Sequence, residues 1–329
     1  MKRILVVALD NLGDLVFASA LVPPIRDAFP TATIGVWCKE YTEPVARLIP
    51  HVDALFSADP LWAVSPGQPR PPLGPFVSTV MRVRRARFDV AVLSAAPWRT
   101  AAACAATGIP VRIGLKRHRN SAFLTRALPA EDPAKPVLLE QARLLAELGI
   151  SSPEPRYRLD ASRLGGLRDE VARQLTHRFV ALHPFAGSRD RCVPLAEWTQ
   201  VAFALQARGW RAFWVGTTRE LDELRRSLTH PSGYYADRVS ANGSEAGSLA
   251  VTAAALSLAD AFVGHDSGPL HVAGALGVPV VGVFAPGEPK RTFPQGVGPW
   301  RMIHRPTPGE IGAADLLREI ADLGLFSAP

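Results

Sequence analysis

The sequence lacks the short motifs that identify several large classes of nucleotide-dependent enzymes. Its first apolar run leads into Asp-Asn-Leu-Gly-Asp and not into Gly-x-Gly-x-x-Gly, which disfavours a dinucleotide-dependent dehydrogenase. No Gly-Lys-Ser/Thr occurs, so the chain has no Walker A phosphate loop, and no Asp-x-Asp metal motif occurs either. A phosphate-binding site in this chain would have to use other residues.

Cysteine and long apolar runs are also scarce. The three cysteines are an odd number and too widely spaced for a zinc or redox motif, which favours inert thiols in a reducing cytoplasm. The N-terminal apolar run of residues 4–9 ends at Asp10, too early for the apolar core of a secretory signal. Residues 267–287 carry no charge, but their Gly and Pro predict a helix and a buried strand instead of a membrane span. We therefore expect a cytoplasmic protein.

Lysine is rare, since only five of the 37 basic residues are lysines. The net charge of +7 suggests a nucleic-acid or membrane partner at first sight. The arginines are scattered, however, and no nucleic-acid-binding motif accompanies them. We expect no nucleic-acid partner.

What the sequence does contain is a regular alternation of short apolar runs and helical stretches. A chain of 329 residues with 47% hydrophobic and 20% charged residues is expected to fold as about two domains. The alternation is typical of βαβ units around a mostly parallel sheet, which is the α/β fold class. Strands are predicted at residues 3–9, 33–37, 54–57, 90–93, 111–113, 179–182, 212–215, 261–263 and 280–284.

A stretch rich in Ser and Pro, residues 149–157, is the best linker candidate. We therefore predict an N-terminal domain at residues 1–160 and a C-terminal domain at residues 161–329. A last helix, at residues 313–323, is expected to pack back on the first domain. The pair Pro23-Pro24 falls inside the first predicted helix and predicts a kink there.

The first candidate site follows the first predicted strand. Asp10, Asn11, Gly13 and Asp14 stand between a buried strand and an apolar helix, at the edge of the sheet where α/β proteins bind ligands. Asp14 can accept a proton from a hydroxyl group held within hydrogen-bond distance. Either aspartate could instead cap the helix.

The second candidate site is the loop at residues 183–194, which begins with His183 directly after a strand. Gly187 and Ser188 offer backbone amides and a hydroxyl, and Arg189 and Arg191 offer bidentate cations. These groups suit a diphosphate. A surface loop with solvated arginines is the alternative.

The third candidate site reads Gly-His-Asp-Ser-Gly-Pro-Leu-His, at residues 264–271. A strand ends here, Asp266 or Ser267 can cap the following helix, and the amides of Ser267 and Gly268 form an anion site at its N-terminus. His271, within the first turn, could direct its ring at the same ligand.

A fourth segment places Glu220 just after another strand end. Its carboxylate could accept hydrogen bonds from ribose hydroxyls. It could equally be a first-turn glutamate stabilised by the helix dipole.

In this order, the four segments resemble glycosyltransferase family 9, the ADP-heptose heptosyltransferases. Gly13 and Asp14 head the first helix, residues 183–194 resemble the family's phosphate loop, Glu220 follows the next strand, and residues 266–271 resemble its Asp-Ser/Thr-Gly-x-x-His signature. The resemblance covers nearly the whole chain. It implies the GT-B architecture, in which two Rossmann-like doubly wound domains with parallel sheets face one another across a cleft.

The resemblance also implies an activity: inverting, metal-independent transfer of a heptose from ADP-heptose to an acceptor hydroxyl, with Asp14 as the general base. The second domain would bind the donor through His183, Gly187, Ser188, Arg189, Arg191, Glu220, Asp266, Ser267, Gly268 and His271. The first domain would bind the acceptor through Asp10, Asn11, Gly13, Arg117 and Arg119. No metal and no cofactor is implied, because the ADP-sugar is a substrate.

The chain departs from the family pattern in the phosphate loop. The family usually carries Lys-x-Trp-Pro, and the matching residues here are Arg191-Cys192-Val193-Pro194. Arginine keeps the positive charge but presents a planar fork in place of a point charge. The leaving-group contacts are therefore expected to be rearranged.

The acceptor implied by the resemblance is the lipopolysaccharide inner core, reached by peripheral contact with the cytoplasmic face of the inner membrane. Its phosphates would suit two basic clusters, residues 82–87 and residues 116–119. A small-molecule acceptor, such as a soluble natural-product intermediate, is an alternative. A GT-B-like sugar-nucleotide epimerase and a non-catalytic nucleotide-sugar binding protein are further alternatives.

Overall fold

The computed structural model of the protein describes residues 2–63, 70–151, 154–227, 233–241, 243–286 and 289–326. Contacts between residues divide the chain into two compact units, Met1–Tyr157 and Arg158–Pro329. The sequence-based prediction put the boundary at residue 160. Ser152 and Pro153 of the predicted linker lie outside the described residues.

The described part of the first unit contains one six-stranded parallel sheet, with strands in the order β3-β2-β1-β4-β5-β6. The strands are β1 (Arg3–Ala8), β2 (Thr33–Cys38), β3 (Ala54–Ser57), β4 (Val90–Leu93), β5 (Val111–Leu115) and β6 (Arg126–Leu128). The helices are α1 (Leu12–Ser19), α2 (Val22–Ala28), α3 (Glu43–Ala46), α4 (Leu73–Ala86), α5 (Trp98–Ala106) and α6 (Val137–Ala146).

The second unit repeats the same topology over its described residues, with the order β12-β11-β10-β7-β8-β9. Its strands are β7 (Phe179–His183), β8 (Arg211–Trp214), β9 (Tyr234–Tyr235), β10 (Ala261–His265), β11 (Val280–Phe284) and β12 (Trp300–His304). Its helices are α7 (Gly166–Gln174), α8 (Leu195–Gln206), α9 (Thr218–Ser227), α10 (Leu249–Leu256), α11 (Gly268–Ala275), α12 (Pro289–Thr292) and α13 (Ala313–Asp322).

Each sheet reverses its direction of strand addition once, between β1 and β4 in the first unit and between β7 and β10 in the second. Such a switch point opens a crevice beyond the carboxyl ends of the two central strands, because the loops that follow them turn to opposite sides of the sheet. The first three candidate segments all lie in loops that follow these strands, namely β1, β7 and β10.

The central strands are buried on both faces. Every residue of β7, β10 and β11 is buried, as expected for parallel strands covered by helices on two sides. Fully burying one Val, Leu or Phe side chain stabilises a fold by about 1.5–3 kcal/mol. These apolar runs therefore fix the strand ends, and with them the loops that carry polar residues.

All of the strands predicted from the sequence are confirmed, with ends shifted by two residues at most. The short strands β6, β9 and β12 were not predicted, and each lies at or near the rim of a sheet. The outermost ones expose much of their side chains, as in β12, where four of five residues are exposed. A half-solvated edge strand needs no apolar run, which is why the sequence pattern missed it.

The predicted kink at Pro23 and Pro24 is wrong. The helix ends at Ser19, and a new helix, α2, starts at Val22 with the prolines in its first turn. Proline is tolerated there because first-turn amides have no helical partner.

The last helix, α13, belongs to the second unit, where it packs against α8 and against strands β10 to β12. Among the residues that the structure describes, none of the helices has the length and apolar character needed to span a bilayer.

Candidate active site

The junction of β1 and α1 holds the first cluster. Asn11 occupies the N-cap position of α1 with an extended backbone, and Gly13 and Asp14 lie in the first turn. The Asn11 amide donates to the Asp14 carboxylate at 3.0 Å. Asp14 is half-buried, and this hydrogen bond holds its carboxylate at the N-terminus of α1. The positive end of the helix dipole there stabilises a negative charge.

Lys39 joins this cluster and was not among the residues expected from the sequence. It follows β2, the neighbour of β1, and is 3% exposed. Its Nζ donates to Asn11 Oδ1 at 3.4 Å. Burial lowers the pKa of Lys39, while the carboxylates of Asp10, Asp59 and Asp14 oppose that shift. A lysine directly after a buried strand, in a chain so poor in lysine, was the signal that could have found it.

The pKa of Asp10, the second carboxylate of the cluster, is shifted by its surroundings. Burial raises its pKa, and the charges of Lys39 and Arg117 act in the opposite direction. Two carboxylates and a buried ammonium group thus meet beyond the carboxyl ends of β1 and β2. Such an arrangement can bind a polyhydroxylated ligand and accept a proton from it.

Arg117 and Arg119 lie in the turn that follows β5, at the same edge of the sheet. The buried Asn120 holds this turn by donating to the carbonyls of Ala96 and Leu115, each at 2.8 Å. Arg117 pairs with Glu131 at 3.2 Å. Arg119 is exposed, with a left-handed φ of 59°.

The other basic cluster expected to meet an acceptor lies at the opposite edge of the sheet. Helix α4 runs from the end of β3 to the start of β4, so its last turn stands at the amino ends of the strands. Arg84 and Arg87 there line a cavity of about 360 Å³ together with residues 107–110 before β5. The expectation that both clusters serve one acceptor site is therefore wrong, because the helix carries its arginines away from Asp14.

In the second unit, His183 ends β7 and faces inward. Its Nδ1 lies 2.8 Å from the Val215 carbonyl at the end of β8, and burial lowers its pKa. Gly264 of β10 lies opposite, where a Cβ would approach the His183 Cβ to 2.9 Å. His183 therefore ties adjacent strand ends together, and the following loop, with Gly187 and Ser188, is the exposed part.

The two arginines of this loop have different partners. Arg189 is 83% exposed and pairs with Glu223 of α9 at 2.8 Å. The Arg191 guanidinium is 31% exposed and lies 3.4 Å from the carboxylate of Asp266, in the loop after β10. The structure thus brings Arg191, but not Arg189, into contact with the third candidate segment.

Asp266 is the centre of a small hydrogen-bonded network. Its Oδ1 lies 3.2 Å from His271 Nε2, and its Oδ2 accepts from Thr292 Oγ1 at 2.9 Å. Burial raises the pKa of Asp266, but the hydrogen bonds from His271 and Thr292 and the charge of Arg191 outweigh burial and lower it. Asp266 is therefore an anion that orients Arg191 and His271. The His271 ring is 2% exposed and makes this contact with Asp266, and its contact with a donor stays a prediction.

His265, also not foreseen from the sequence, links β10 to the phosphate loop. It is 1% exposed, and its Nε2 accepts from the Val193 amide at 3.2 Å. The ring of Trp198 packs against it edge to face, with centroids 5.6 Å apart. Burial, with smaller effects from His183 and Arg191, lowers the pKa of His265 to about 3, so the ring is neutral.

Ser267 is the N-cap residue of α11, with Gly268 at the first helical position. The Ser267 hydroxyl donates to the His265 carbonyl at 3.0 Å and so turns back into the loop. Within the described part of the chain, no side chain caps this helix. Its first amides therefore present the positive end of the helix dipole to a ligand, beside the Arg191 guanidinium.

Glu220 forms a capping box at the start of α9. Its Oε2 accepts from the Thr217 amide at 2.8 Å and from the Thr217 hydroxyl at 2.9 Å, and the Glu220 amide donates back to that hydroxyl at 3.3 Å. Glu220 is thus a structural first-turn residue through Oε2, and these contacts do not use Oε1.

Across the described residues, no group of three or more His, Cys, Asp or Glu could hold a metal ion.

Comparison with known proteins gives concordant matches. A family profile described as Glycosyltransferase family 9 (heptosyltransferase) matches residues 77–301. Lipopolysaccharide heptosyltransferase 3 of Escherichia coli is 22% identical over 83% of this chain and 80% of its own length.

Two solved structures share the fold over nearly the full chain. The glycosyl transferase family 9 protein of Veillonella parvula superposes with a TM-score of 0.79 at 18% identity, covering 99% of this chain and 98% of that one. The E. coli heptosyltransferase WaaC with ADP-2-deoxy-2-fluoro heptose gives a TM-score of 0.77 at 16% identity, covering 98% and 99%. The fold class predicted from the sequence, GT-B with two Rossmann-like units, is confirmed.

Proposed function

The chain belongs to glycosyltransferase family 9, the heptosyltransferase family, and on that premise we propose that it transfers a heptose from ADP-heptose to a sugar hydroxyl of an anionic glycan acceptor. The relatives support the choice of donor and acceptor. One is a lipopolysaccharide heptosyltransferase by name, and WaaC was crystallised with a fluorinated ADP-heptose. The reaction is inverting and needs no metal ion.

The donor diphosphate binds at the loops after β7 and β10. Arg191, the amides of Ser267 and Gly268, and the Ser188 hydroxyl contact its oxygens. Asp266 holds the Arg191 fork in place at 3.4 Å. A fixed guanidinium beside a helix N-terminus neutralises the charge that develops on a leaving diphosphate, which is the task that a metal ion performs elsewhere. Glu220 keeps Oε1 for the ribose hydroxyls, because its capping contacts use Oε2.

The acceptor hydroxyl binds beside α1, where Asp14 takes its proton. The acceptor oxygen then forms a bond to the anomeric carbon while the bond from that carbon to the diphosphate breaks, and the electron pair leaves with ADP. A single displacement of this kind inverts the anomeric configuration. Lys39 and Arg117, with Asp10, provide charged and polar contacts around the acceptor sugar.

The observation that carries this proposal is the position of the Arg191 guanidinium, bound to Asp266 beside the uncapped start of α11. An arginine fork and free helix amides suit a diphosphate far better than a neutral sugar. The acceptor is a lipid-linked, phosphorylated inner-core glycan, which would bring the enzyme into peripheral contact with a membrane.

A nucleotide screen by thermal unfolding tests the donor. A ligand at 100 times its Kd stabilises the native state by about 2.7 kcal/mol, so ADP is expected to raise Tm measurably, and UDP or GDP to raise it less. A preference for UDP would overturn the ADP-heptose donor.

Release of ADP from ADP-heptose tests the transfer. It should require an acceptor, since ADP release without one would indicate an epimerase or hydrolase instead. A soluble sugar acceptor that outcompetes a lipid-linked one would contradict the acceptor class. EDTA should leave the rate unchanged, and inhibition that Mg²⁺ reverses would contradict a metal-independent reaction.

A further inference from the structure

Helix α4 carries a row of exposed apolar side chains. Leu73, Val77 and Met81 are 56%, 46% and 43% exposed. They recur every four residues and so form one stripe along the helix. The helix is anchored by its other face, where Phe76 and Val83 are buried in the core of the first unit. The stripe therefore does not belong to the buried face of α4. It forms a second apolar face that is exposed to solvent.

Positive charge accompanies the stripe. Arg84 and Arg85 lie in the last turn of α4, and Arg84 falls one turn beyond Met81 on the same side of the helix. Residues 60–88 contain five arginines and no Asp or Glu. The next carboxylate in the chain, Asp89, lies beside Arg84 and accepts from a backbone amide of β1 at 2.7 Å. An exposed apolar row flanked by arginines complements an anionic lipid bilayer, which has negative headgroups above an apolar interior.

The stripe also reaches the side of the sheet on which the strands end, which is the side of the candidate active site. Thr79, in the middle of α4, donates to the carbonyl of Ser57 at the carboxyl end of β3, so the half of the helix that carries Leu73 and Val77 projects beyond that edge. Asp14 and Lys39 lie at this same edge of the sheet. A bilayer that contacts α4 would therefore lie beside the acceptor site of the first unit.

We propose, on the basis of the proposed lipid-linked acceptor, that the outward face of α4 docks the enzyme on anionic phospholipid membranes. Leu73, Val77 and Met81 insert below the headgroups, and Arg84 and Arg85 contact lipid phosphates. The arginines at the end of α4, on the side of the sheet away from Asp14, would thus bind the membrane and not the acceptor sugar.

Co-sedimentation with phospholipid vesicles tests the surface. The full-length chain should bind vesicles of phosphatidylcholine mixed with phosphatidylglycerol, and bind pure phosphatidylcholine vesicles weakly. The double variant Val77→Ser/Met81→Ser should lower the partition coefficient about tenfold or more, because it removes the apolar area that inserts. Arg84→Gln/Arg85→Gln should lower it by about fivefold per arginine, with a weaker salt dependence than the wild type shows.

Matched controls lie elsewhere on the molecule. Leu139 of α6 and Phe203 of α8 are exposed to a similar extent, 39% and 46%, so Leu139→Ser/Phe203→Ser should bind vesicles like the wild type. Equal binding by the wild type and the α4 variants would overturn the proposal, as would no vesicle binding by the wild type. A lipid-free wild type that sediments as a dimer, with Val77→Ser/Met81→Ser a monomer, would show that a second copy covers the stripe and would also overturn it.

Transfer to a delipidated, water-soluble acceptor glycan separates this inference from the proposed function. The α4 variants should retain wild-type transfer rates with that acceptor. Absence of transfer in every protein, with vesicle binding still lost in the α4 variants, would contradict the proposed function and leave the docking surface standing.

Discussion

The guanidinium of Arg191 lies 3.4 Å from the carboxylate of Asp266, 75 residues away in the chain. The contact exists because β7 and β10 are neighbours at the switch point of the second sheet, so the loops that follow them meet. Asp266 is itself held by His271 and Thr292, which leaves little freedom for the Arg191 fork. A cation held in this way loses little conformational entropy when it binds a diphosphate.

Replacing Arg191 should weaken donor binding. We expect Arg191→Gln to raise the Kd for ADP by about 10- to 100-fold, the range for losing charge-assisted hydrogen bonds to a phosphate. Titration calorimetry with ADP measures the effect. Arg189→Gln is the matched control, and we expect a change below about threefold, because Arg189 is 83% exposed and pairs with Glu223. Equal losses in the two variants would contradict the distinction drawn between the two arginines.

His265 should make the fold sensitive to acid. Its folded pKa of about 3 lies below the ordinary value of 6.5, so between these values the unfolded chain binds more protons and stability falls as the pH falls. We expect a loss of about 2–3 kcal/mol between pH 6.5 and about pH 4.5 from this residue.

The test of that loss is the pH dependence of urea unfolding in His265→Gln, whose amide oxygen can still accept from the Val193 amide. The variant should show a shallower decline of the unfolding free energy below pH 6.5 than the wild type. His304→Gln, at an exposed position of β12, should leave the slope unchanged. Identical slopes in all three proteins would show that His265 is not buried in its neutral form.

Lys39 should control the acid side of the activity profile. Burial raises the pKa of Asp10, and the charge of Lys39 is the largest effect that lowers it. In Lys39→Met the pKa of Asp10 should rise further. Because Asp10 contacts the acceptor sugar as a carboxylate, the acid limb of the kcat/KM profile for the acceptor should move to higher pH.

ADP affinity should stay the same in Lys39→Met, since the donor site lies in the second unit. Lys116→Met, at an exposed position after β5, is the control and should keep the wild-type profile. A wild-type pH profile in Lys39→Met would exclude an electrostatic role for this lysine.

The sheets could be read from the sequence because parallel strands covered on both faces need unbroken apolar runs. The runs at residues 180–182 and 280–284 are examples, and their ends fixed the loops where the candidate residues lie. The edge strand β12 escaped detection because Trp300 and Met302 point to solvent and Ile303 alone is buried. A solvated edge leaves no apolar signature.

Side-chain partners could not be read from the sequence in the same way. The motif predicted Asp266 as a donor ligand, but its contacts with Thr292 and Arg191 depend on how distant loops meet. Lys39 was missed because it is buried only once β1 and β2 pair side by side, and the order of residues along the chain does not show which strands pair. The sequence suggested that the arginines at residues 82–87 contact the acceptor. In the structure, α4 runs from the carboxyl end of β3 to the amino end of β4 and places them on the side of the sheet away from Asp14.

The most direct test of the central claim is the rate of transfer by Asp14→Asn. Asparagine keeps an oxygen that can accept from the Asn11 amide, so Tm should fall only slightly, through the lost charge at the helix N-terminus, and the Kd for ADP should stay at the wild-type value. Loss of the general base should lower kcat by about 100-fold or more. Asp27→Asn, on the exposed side of α2, is the control and should transfer normally. An Asp14→Asn enzyme that releases ADP at the wild-type rate in the presence of acceptor would contradict the account.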